Sequence, residues 1–345
     1  MREREGDLIK TKSSVIFDVK GLTHPTDKIV AFPRFIPSPQ GTRQGKEGTT
    51  YGKVYSLSDR FKYLQEKHPD LIVFDPVFDE TMCEVPVVQV AEHYKPEEKL
   101  WAMRSAKGLT VLERKALQLA ETLKKEASVP WSSIGISGSI MAGLTTEKSD
   151  IDPLVYGVEN CRKAYAALQK LLNDANSGFK PYSRAELHEL FDFRSKDTQM
   201  TFDDFLMVEG RKAFQGKFMG TDYFIRFVKD WREINERYGD VCFKNSGNAE
   251  ITAQIADSAD SLFTPCTYKL TDAQIVQGNT LHPISEIVSF RGRFCEQLPQ
   301  NLRNPPTVRA QGKIEQVTDT RTGETHCRML IGNKPTDYMV VKFKD

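Results

Sequence analysis

The chain has 345 residues, enough for two or three domains with buried cores, and its 48 Lys and Arg against 47 Asp and Glu leave a formal charge of +1. That balance excludes a globally basic coat for nucleic acid, though it is compatible with a local basic groove. Its 6 cysteines include no C-x-x-C and no paired histidine, so neither zinc nor a disulfide scaffold is indicated and a reducing compartment is expected. No run nears the roughly 18 to 20 apolar residues of a membrane span, so no membrane association and a cytoplasmic protein are expected.

Residues 14–37 predict two strands, SVIFDVKGL and KIVAFPRFIP, around a His-Pro-Thr-Asp turn. Residues 38–52, SPQGTRQGKEGTTYG, lack apolar periodicity and carry Arg43 and Lys46, which predicts a mobile surface loop. A helix is expected over residues 56–67, with Ser58 as cap, Leu57, Phe61 and Leu64 on one face, and a stop at His68-Pro69. A strand follows at 71–75. The acids Asp75, Asp79, Glu80 and Glu84 are spaced as in a turn between strands rather than as metal ligands. Helices are predicted near 97–107 and over 111–127, where Leu112, Ala116, Leu119, Ala120 and Leu123 recur at helical spacing.

Residues 135–157, GISGSIMAGLTTEKSDIDPLVYG, carry the most chemistry. Residues 133–137 predict a short strand that runs into Gly138-Ser139 and a brief helix over 140–143. A glycine there lets the backbone approach a phosphate, and Ser139 adds a hydroxyl to the free N–H groups of the turn. After a polar turn, residues 150–156 predict a strand, and Asp150 and Asp152 at i and i+2 share one face while Ile151 points into the core. Two carboxylates on one face repel unless a cation lies between them, and hard oxygen ligands suit Mg²⁺ or Mn²⁺. The chemistry this implies is phosphoryl or nucleotidyl transfer.

Gly138, Ser139, Asp150 and Asp152, with the small and polar residues between them, resemble the signature of the polymerase β-like nucleotidyltransferase superfamily. The resemblance covers residues 130–160 or so. It implies a mixed α/β catalytic domain whose small sheet carries two or three metal-binding acids, with a nucleoside triphosphate as donor. Pro153 directly follows the second acid and lacks an N–H, which predicts that this strand lies at an edge or ends its pairing there. Ala142 stands where many small members carry an arginine.

A third carboxylate is expected on a neighbouring strand, where it would complete the metal site and draw the proton from the attacking hydroxyl. Asp222 in TDYFIRFVK is the first candidate, because Asp222, Phe224 and Arg226 share one strand face while Tyr223, Ile225 and Phe227 fill the other. Asp192 and the Asp203-Asp204 pair are its rivals. Among the nearby cations Arg211, Lys212, Lys217, Arg226, Lys229 and Arg232, the strand favours Lys217 and Arg226 for binding phosphate.

A helix is expected over 159–173, with Ala164, Leu168, Leu171 and Leu172 on its buried side. From about residue 248 the pattern becomes β-rich, with strands expected at 249–258, 262–270, 286–295, 307–317, 327–332 and 338–343. Short strands without a long helix predict a small β-barrel or sandwich, similar in architecture to an OB-fold. Arg291, Arg293, Phe294 and Arg309 supply the mixture of charge and aromatic surface that binds RNA or other single-stranded nucleic acid.

The whole chain, through FDPVFDETMCEVP and ISEIVSFRGRFCEQ on either side of the motif, also resembles an uncharacterised group of predicted nucleotidyltransferases found in archaea. The fold expected is therefore α+β: an N-terminal α/β region over 1–108, a polymerase β-like nucleotidyltransferase core over 109–247 and a β domain over 248–345. The expected activity moves a nucleoside monophosphate to a hydroxyl acceptor on an RNA or DNA end, a protein or a small molecule. In that reading Gly138, Ser139, Lys217 and Arg226 bind nucleotide, and Asp150, Asp152 and Asp222 are catalytic and metal-binding. The competing class is a non-catalytic nucleic-acid-binding or scaffold protein that keeps a nucleotide pocket.

Overall fold

Alternating apolar residues give the N-terminal region its strands: β1 (Leu8–Thr11), β2 (Ile16–Val19), β3 (Lys28–Pro37), β4 (Arg43–Gln44) and β5 (Thr50–Lys53). After α1 (Leu57–Lys67) come β6 (Ile72–Asp75), β7 (Glu80–Pro86) and β8 (Val90–Tyr94). In the computed structural model, which describes residues 3–45, 48–197, 199–280, 282–298 and 306–342, these strands form one 8-stranded sheet in the order β4-β5-β3-β2-β1-β8, with β7 also on β3 and β6 on β7. One face of the sheet packs Ile9, Phe17, Val19 and Ala31 with Leu64 of α1. The opposite face packs Leu8, Ile16, Phe35 and Tyr51 with Met141 and Leu144. Ile16 pairs with Phe35 and Phe17 with Pro33, so Arg34 between them is the extra residue of a β-bulge.

Two expectations are corrected here. The described residues 38–45 and 48–52 are held in structure rather than forming a mobile loop, because Tyr51 is buried and pairs with Arg43 across β4 and β5. Arg43 also donates to the Leu144 carbonyl at 2.5 Å. Lys46 lies outside the described residues. The cap of α1 is Ser56, whose hydroxyl accepts the Asp59 N–H at 3.0 Å, because Ser56 and not Ser58 has the extended backbone a cap requires.

Next come α2 (Pro96–Ser105), α3 (Val111–Ala127), β9 (Ile134–Ile136), α4 (Gly138–Ala142), β10 (Pro153–Tyr156) and α5 (Val158–Leu171). Thr110 and Glu113 cap α3 reciprocally, and α3 and α5 bury their apolar stripes against each other. The chain continues through β11 (Phe179–Lys180), α6 (Arg184–Arg194), α7 (Phe202–Glu209), β12 (Gln215–Phe218), β13 (Thr221–Phe224) and β14 (Arg226–Val228). Two 3-stranded sheets result, β14-β10-β9 and β11-β12-β13. β10 runs antiparallel to β9 and parallel to β14, so it is the central strand and not an edge. Pro153 is tolerated there because it is the first residue of the strand.

The last strands are β15 (Val241–Asp257), β16 (Cys266–Gln277), β17 (Ile284–Ser289), β18 (Thr307–Asp319), β19 (Thr325–Leu330) and β20 (Tyr338–Lys342). Their order is β15-β16-β17-β19-β18-β20, and β15 also pairs β18, so the path returns to its first strand. The strand expected at 262–270 starts only at Cys266, directly after Pro265, which has no N–H to give a ladder. The strand expected at 286–295 ends at Ser289, and the chain turns through a 3₁₀ segment, Gly292–Phe294.

By its internal contacts the α+β chain divides into two units: residues 1–73, 82–181 and 213–235, and residues 74–81, 182–212 and 236–345. The tip of the β6–β7 hairpin belongs to the second unit, where Phe78 stacks on Phe243 at 5.6 Å. Asp75 there accepts the Val77 and Phe78 N–H groups at 2.7 and 3.1 Å, which is the turn chemistry expected of that acidic cluster. Among the described residues no helix is long and apolar enough to cross a membrane.

Phe35 is fully buried and packs β3 against the residues on either side of Gly143. Phe35→Ala should therefore cost about 3–5 kcal/mol of unfolding free energy, measured as a lowered urea midpoint at unchanged slope. A loss under about 1 kcal/mol would mean that this face is loosely packed.

Candidate functional site

The Gly-Ser turn and the acid pair meet because β9 and β10 are hairpin-like neighbours. The Ser137 N–H donates to the Asp152 carbonyl at 2.9 Å, and the Ser137 hydroxyl donates to the Gly6 carbonyl at 2.7 Å. Gly138 then takes φ +61°, and a Cβ built on it would lie 1.8 Å from Asp152 Oδ2. Any other residue would have to displace the carboxylate. Ser139 is 2% exposed, and its hydroxyl has no hydrogen-bond partner among the described residues. A buried orphan hydroxyl of this kind costs about 1–3 kcal/mol unless something outside the chain bonds to it.

Ile151 fixes how the acids are presented. Its N–H donates to the Asp222 carbonyl at 2.9 Å and its carbonyl accepts the Phe224 N–H at 3.0 Å, in a parallel bridge between Ile151 and Tyr223. Ile151 and Tyr223 are buried on one face, so strand alternation turns Asp150, Asp152, Asp222 and Phe224 to the other. Leu154, Tyr156 and Val228 continue that second face and pack with Leu22. Asp222 thus enters the strand beside the acid pair. Its carboxylate is engaged with Lys217, its cross-strand partner, at 3.2 Å. Among the described residues no group of three or more His, Cys, Asp and Glu is arranged to hold a metal. The rival acids belong to helices of the second unit. Asp192 is exposed on α6 with His188 at 3.5 Å, and Asp203 and Asp204 sit in the first turn of α7, capped by Thr201.

The charged residues around the pair divide into those already bonded and those left over. Arg226 contacts Glu5 at 3.0 Å and Asp18 at 4.0 Å, and Lys20 contacts the same two acids at 3.2 and 2.8 Å. Burial would raise the Asp18 pKa, but Lys20, Arg226, Arg34 and Arg60 overcome it and hold the carboxyl well below the usual range. Asp150 and Asp152 have no hydrogen-bond or ion-pair partner for their carboxylates among the described residues. Burial, reinforced by Asp150, pushes Asp152 up to about 6, against the opposing fields of Lys53, Arg226 and Arg34.

Lys53 and Arg34 are the residues that reasoning from the sequence missed. Both are half-buried, and both rest on the exposed ring of Tyr55, Lys53 Nζ at 4.9 Å and Arg34 Cζ at 5.4 Å from its centre. A lone arginine inside the apolar run KIVAFPRFIP was the available signal. The remaining expected cations lie elsewhere or are engaged. Arg211 donates to the Gln297 carbonyl at 2.8 Å, and buried Lys212 pairs with Glu209 at 2.5 Å, both within the second unit. Of the residues expected to bind nucleic acid, Phe294 is buried, so it presents no ring for stacking. Arg309 is paired with Glu250, and Arg291 donates to the Gly332 carbonyl at 3.1 Å.

No family model matches the chain. It is similar to an uncharacterised protein of Methanocaldococcus jannaschii, 29% identical over 340 residues that cover 96% of each chain. No solved structure matches.

Two outcomes follow from this geometry. Gly138→Ala should lower stability by about 1–3 kcal/mol, from a left-handed backbone joined to a clash with Asp152, read as a drop in melting temperature. The folded-state pKa of Asp152 lies above its unfolded value, so the stability this carboxyl allows is complete below about 4 and is lost as pH rises through about 6. Asp152→Asn should accordingly stabilise the metal-free protein at pH 7.5 by roughly 1–3 kcal/mol and leave it unchanged at pH 4, in paired denaturation curves.

Proposed function

We propose that the chain is a metal-dependent nucleotidyltransferase. The observation that carries this reading is the Asp150–Asp152 pair, whose Asp152 carboxylate lies against Gly138, beside the buried Ser139 hydroxyl that has no partner among the described residues. The strand order supports a polymerase β-like core: an antiparallel pair carries the turn and the acids, and a parallel neighbour brings Asp222 onto the same face. In the second unit the pairing of β15 with β18, which returns the path to its start, supports a small OB-like barrel.

The donor set fits a hard cation. Mg²⁺ commonly takes one or two carboxylates and fills its remaining positions with water and substrate phosphates, so the absence of a three-acid cluster among the described residues does not disqualify the pair. Asp150 and Asp152 would hold Mg²⁺ or Mn²⁺, which when bound activates the acceptor hydroxyl and neutralises the leaving pyrophosphate. The chain's own groups do the positioning. The Ser139 hydroxyl donates to a phosphate oxygen of the donor nucleotide, and Gly138, lacking Cβ, lets the Asp152 carboxylate lie directly against the turn that receives that phosphate. The acceptor oxygen bonds to the α-phosphorus as the bond from that phosphorus to the bridging oxygen breaks, and pyrophosphate leaves. Asp222 takes the acceptor's proton once Lys217 turns from it to the phosphates. Acceptors in keeping with this reading are an RNA or DNA end, a protein side chain or a small molecule.

The competing reading, a non-catalytic nucleic-acid-binding or scaffold protein with a nucleotide pocket, draws support from one contact, the Lys217–Asp222 pair that occupies the third acid. Label transfer and pyrophosphate release, measured with each of the four ribonucleoside triphosphates and Mg²⁺ or Mn²⁺, separate the two. Transfer by the intact chain should fall at least about a thousandfold in Asp150→Ala or Asp152→Ala. Nucleotide binding without transfer would favour the pocket protein, and full activity in the double variant would sink the assignment. Ser139→Ala should weaken nucleotide binding about tenfold with no loss of melting temperature, since its hydroxyl has no hydrogen-bond partner among the described residues.

A further inference from the structure

Two half-buried cations of the first unit, Arg34 and Lys53, have no acid at contact distance among the described residues. Arg226, Lys20, Glu5 and Asp18 satisfy one another, and Lys217 is taken by Asp222. Arg34 and Lys53 have no ion pair and no side-chain hydrogen bond among the described residues, although both are half-buried. A partly desolvated, unpaired cation is costly, and a pair of them on one aromatic ring repel each other as well. Such an arrangement is relieved by an anion that reaches both.

Their placement in the fold says where that anion lies. Lys53 is directly opposite Phe35 in the β3–β5 ladder, so it shares the sheet face on which Phe35 and Tyr51 cover Met141 and Leu144. That is the face turned toward α4, whose first residues are Gly138 and Ser139. Arg34 is the extra residue of the β3 bulge, and such bulges re-aim a side chain out of the regular alternation. The Arg34 carbonyl accepts the Val54 N–H at 3.0 Å, which fixes the bulge beside Lys53. The fields of both cations reach Asp152.

We propose that Arg34 and Lys53, braced on Tyr55, form a polyphosphate subsite contributed by the N-terminal sheet, which binds the outer phosphates of the donor nucleotide. The inference rests on the nucleotidyl-transfer reading and names the residues that would hold the part of the donor that leaves. The guanidinium presents paired N–H donors to two phosphate oxygens, and the ammonium adds a mobile point charge. Tyr55 acts as a positioning residue: its ring keeps the two side chains from folding away, and its hydroxyl is not required.

Calorimetric titration of the full chain with inorganic tripolyphosphate in Mg²⁺ tests this. Arg34→Gln and Lys53→Gln should each weaken binding about tenfold and together about a hundredfold, with melting temperature unchanged. Tyr55→Ala should weaken it severalfold, and Tyr55→Phe should restore it. Tripolyphosphate binding that survives the double variant overturns the subsite and leaves the transferase reading intact if labelled nucleotide is still transferred. A wild-type chain that binds no tripolyphosphate also overturns the subsite. Binding that depends on both cations in a chain that transfers nothing upholds the subsite and removes the transferase reading.

Discussion

Arg226 is bonded to Glu5 across 221 residues of sequence, and the distribution of charge in the first unit follows from that contact. Taking an ion pair out of water is unfavourable unless the partners are well placed and their remaining bonding capacity is met. Here a second cation, Lys20, and a second acid, Asp18, complete the group. Burial works against the charge on Arg226, and Glu5, Asp18 and Asp152 together outweigh it, so its pKa stands above the ordinary value. The group is neutral as a whole, which allows the strand bearing Arg226 to lie against the N-terminal segment.

With those four residues committed, the neighbouring groups are left without partners among the described residues. Among the described residues Asp150 and Asp152 repel, the Ser139 hydroxyl is buried without a partner, and Arg34 and Lys53 lie without an ion pair on Tyr55. Each of these features lowers stability alone. In the proposed reading these features belong to one site, because a bound polyanion and cation would relieve the charges and the hydroxyl together. The second unit shows the contrast, since its buried Glu209 bonds to both Lys212 and Arg194.

What could be read from the sequence was what depends on near neighbours. Gly138, Ser139, Asp150 and Asp152 lie within one strand-turn-strand, and alternation puts Asp150 with Asp152 on one face and Asp222 with Arg226 on another, while the Ile151–Tyr223 bridge brings the two faces together. Arg226 was correctly placed on that face, but its engagement with Glu5 and Asp18 depends on contacts far apart in the chain. Arg34 was hidden because a bulge is a property of register between two strands, and register is not visible in either strand alone. Lys53 directly follows residues 38–52, whose glycines and charges resemble a free loop, and the buried ring of Tyr51 makes the end of that stretch a strand that includes Lys53. Phe294 shows the reverse error, an aromatic beside arginines that was taken as surface and is core.

The same long-range bond governs how the chain is made. At about 5–20 residues per second, a ribosome that has released Glu5 needs roughly ten to forty seconds more to produce Arg226. Throughout that interval Glu5 and Asp18 lack one of the cations that will neutralise them, while Ile9, Phe17 and Ala31 can already collapse with Leu64. The nascent sheet therefore gains one apolar face long before the charge of its other face is balanced. Full burial of Glu5 is a late event of synthesis, timed by the arrival of a strand more than two hundred residues downstream.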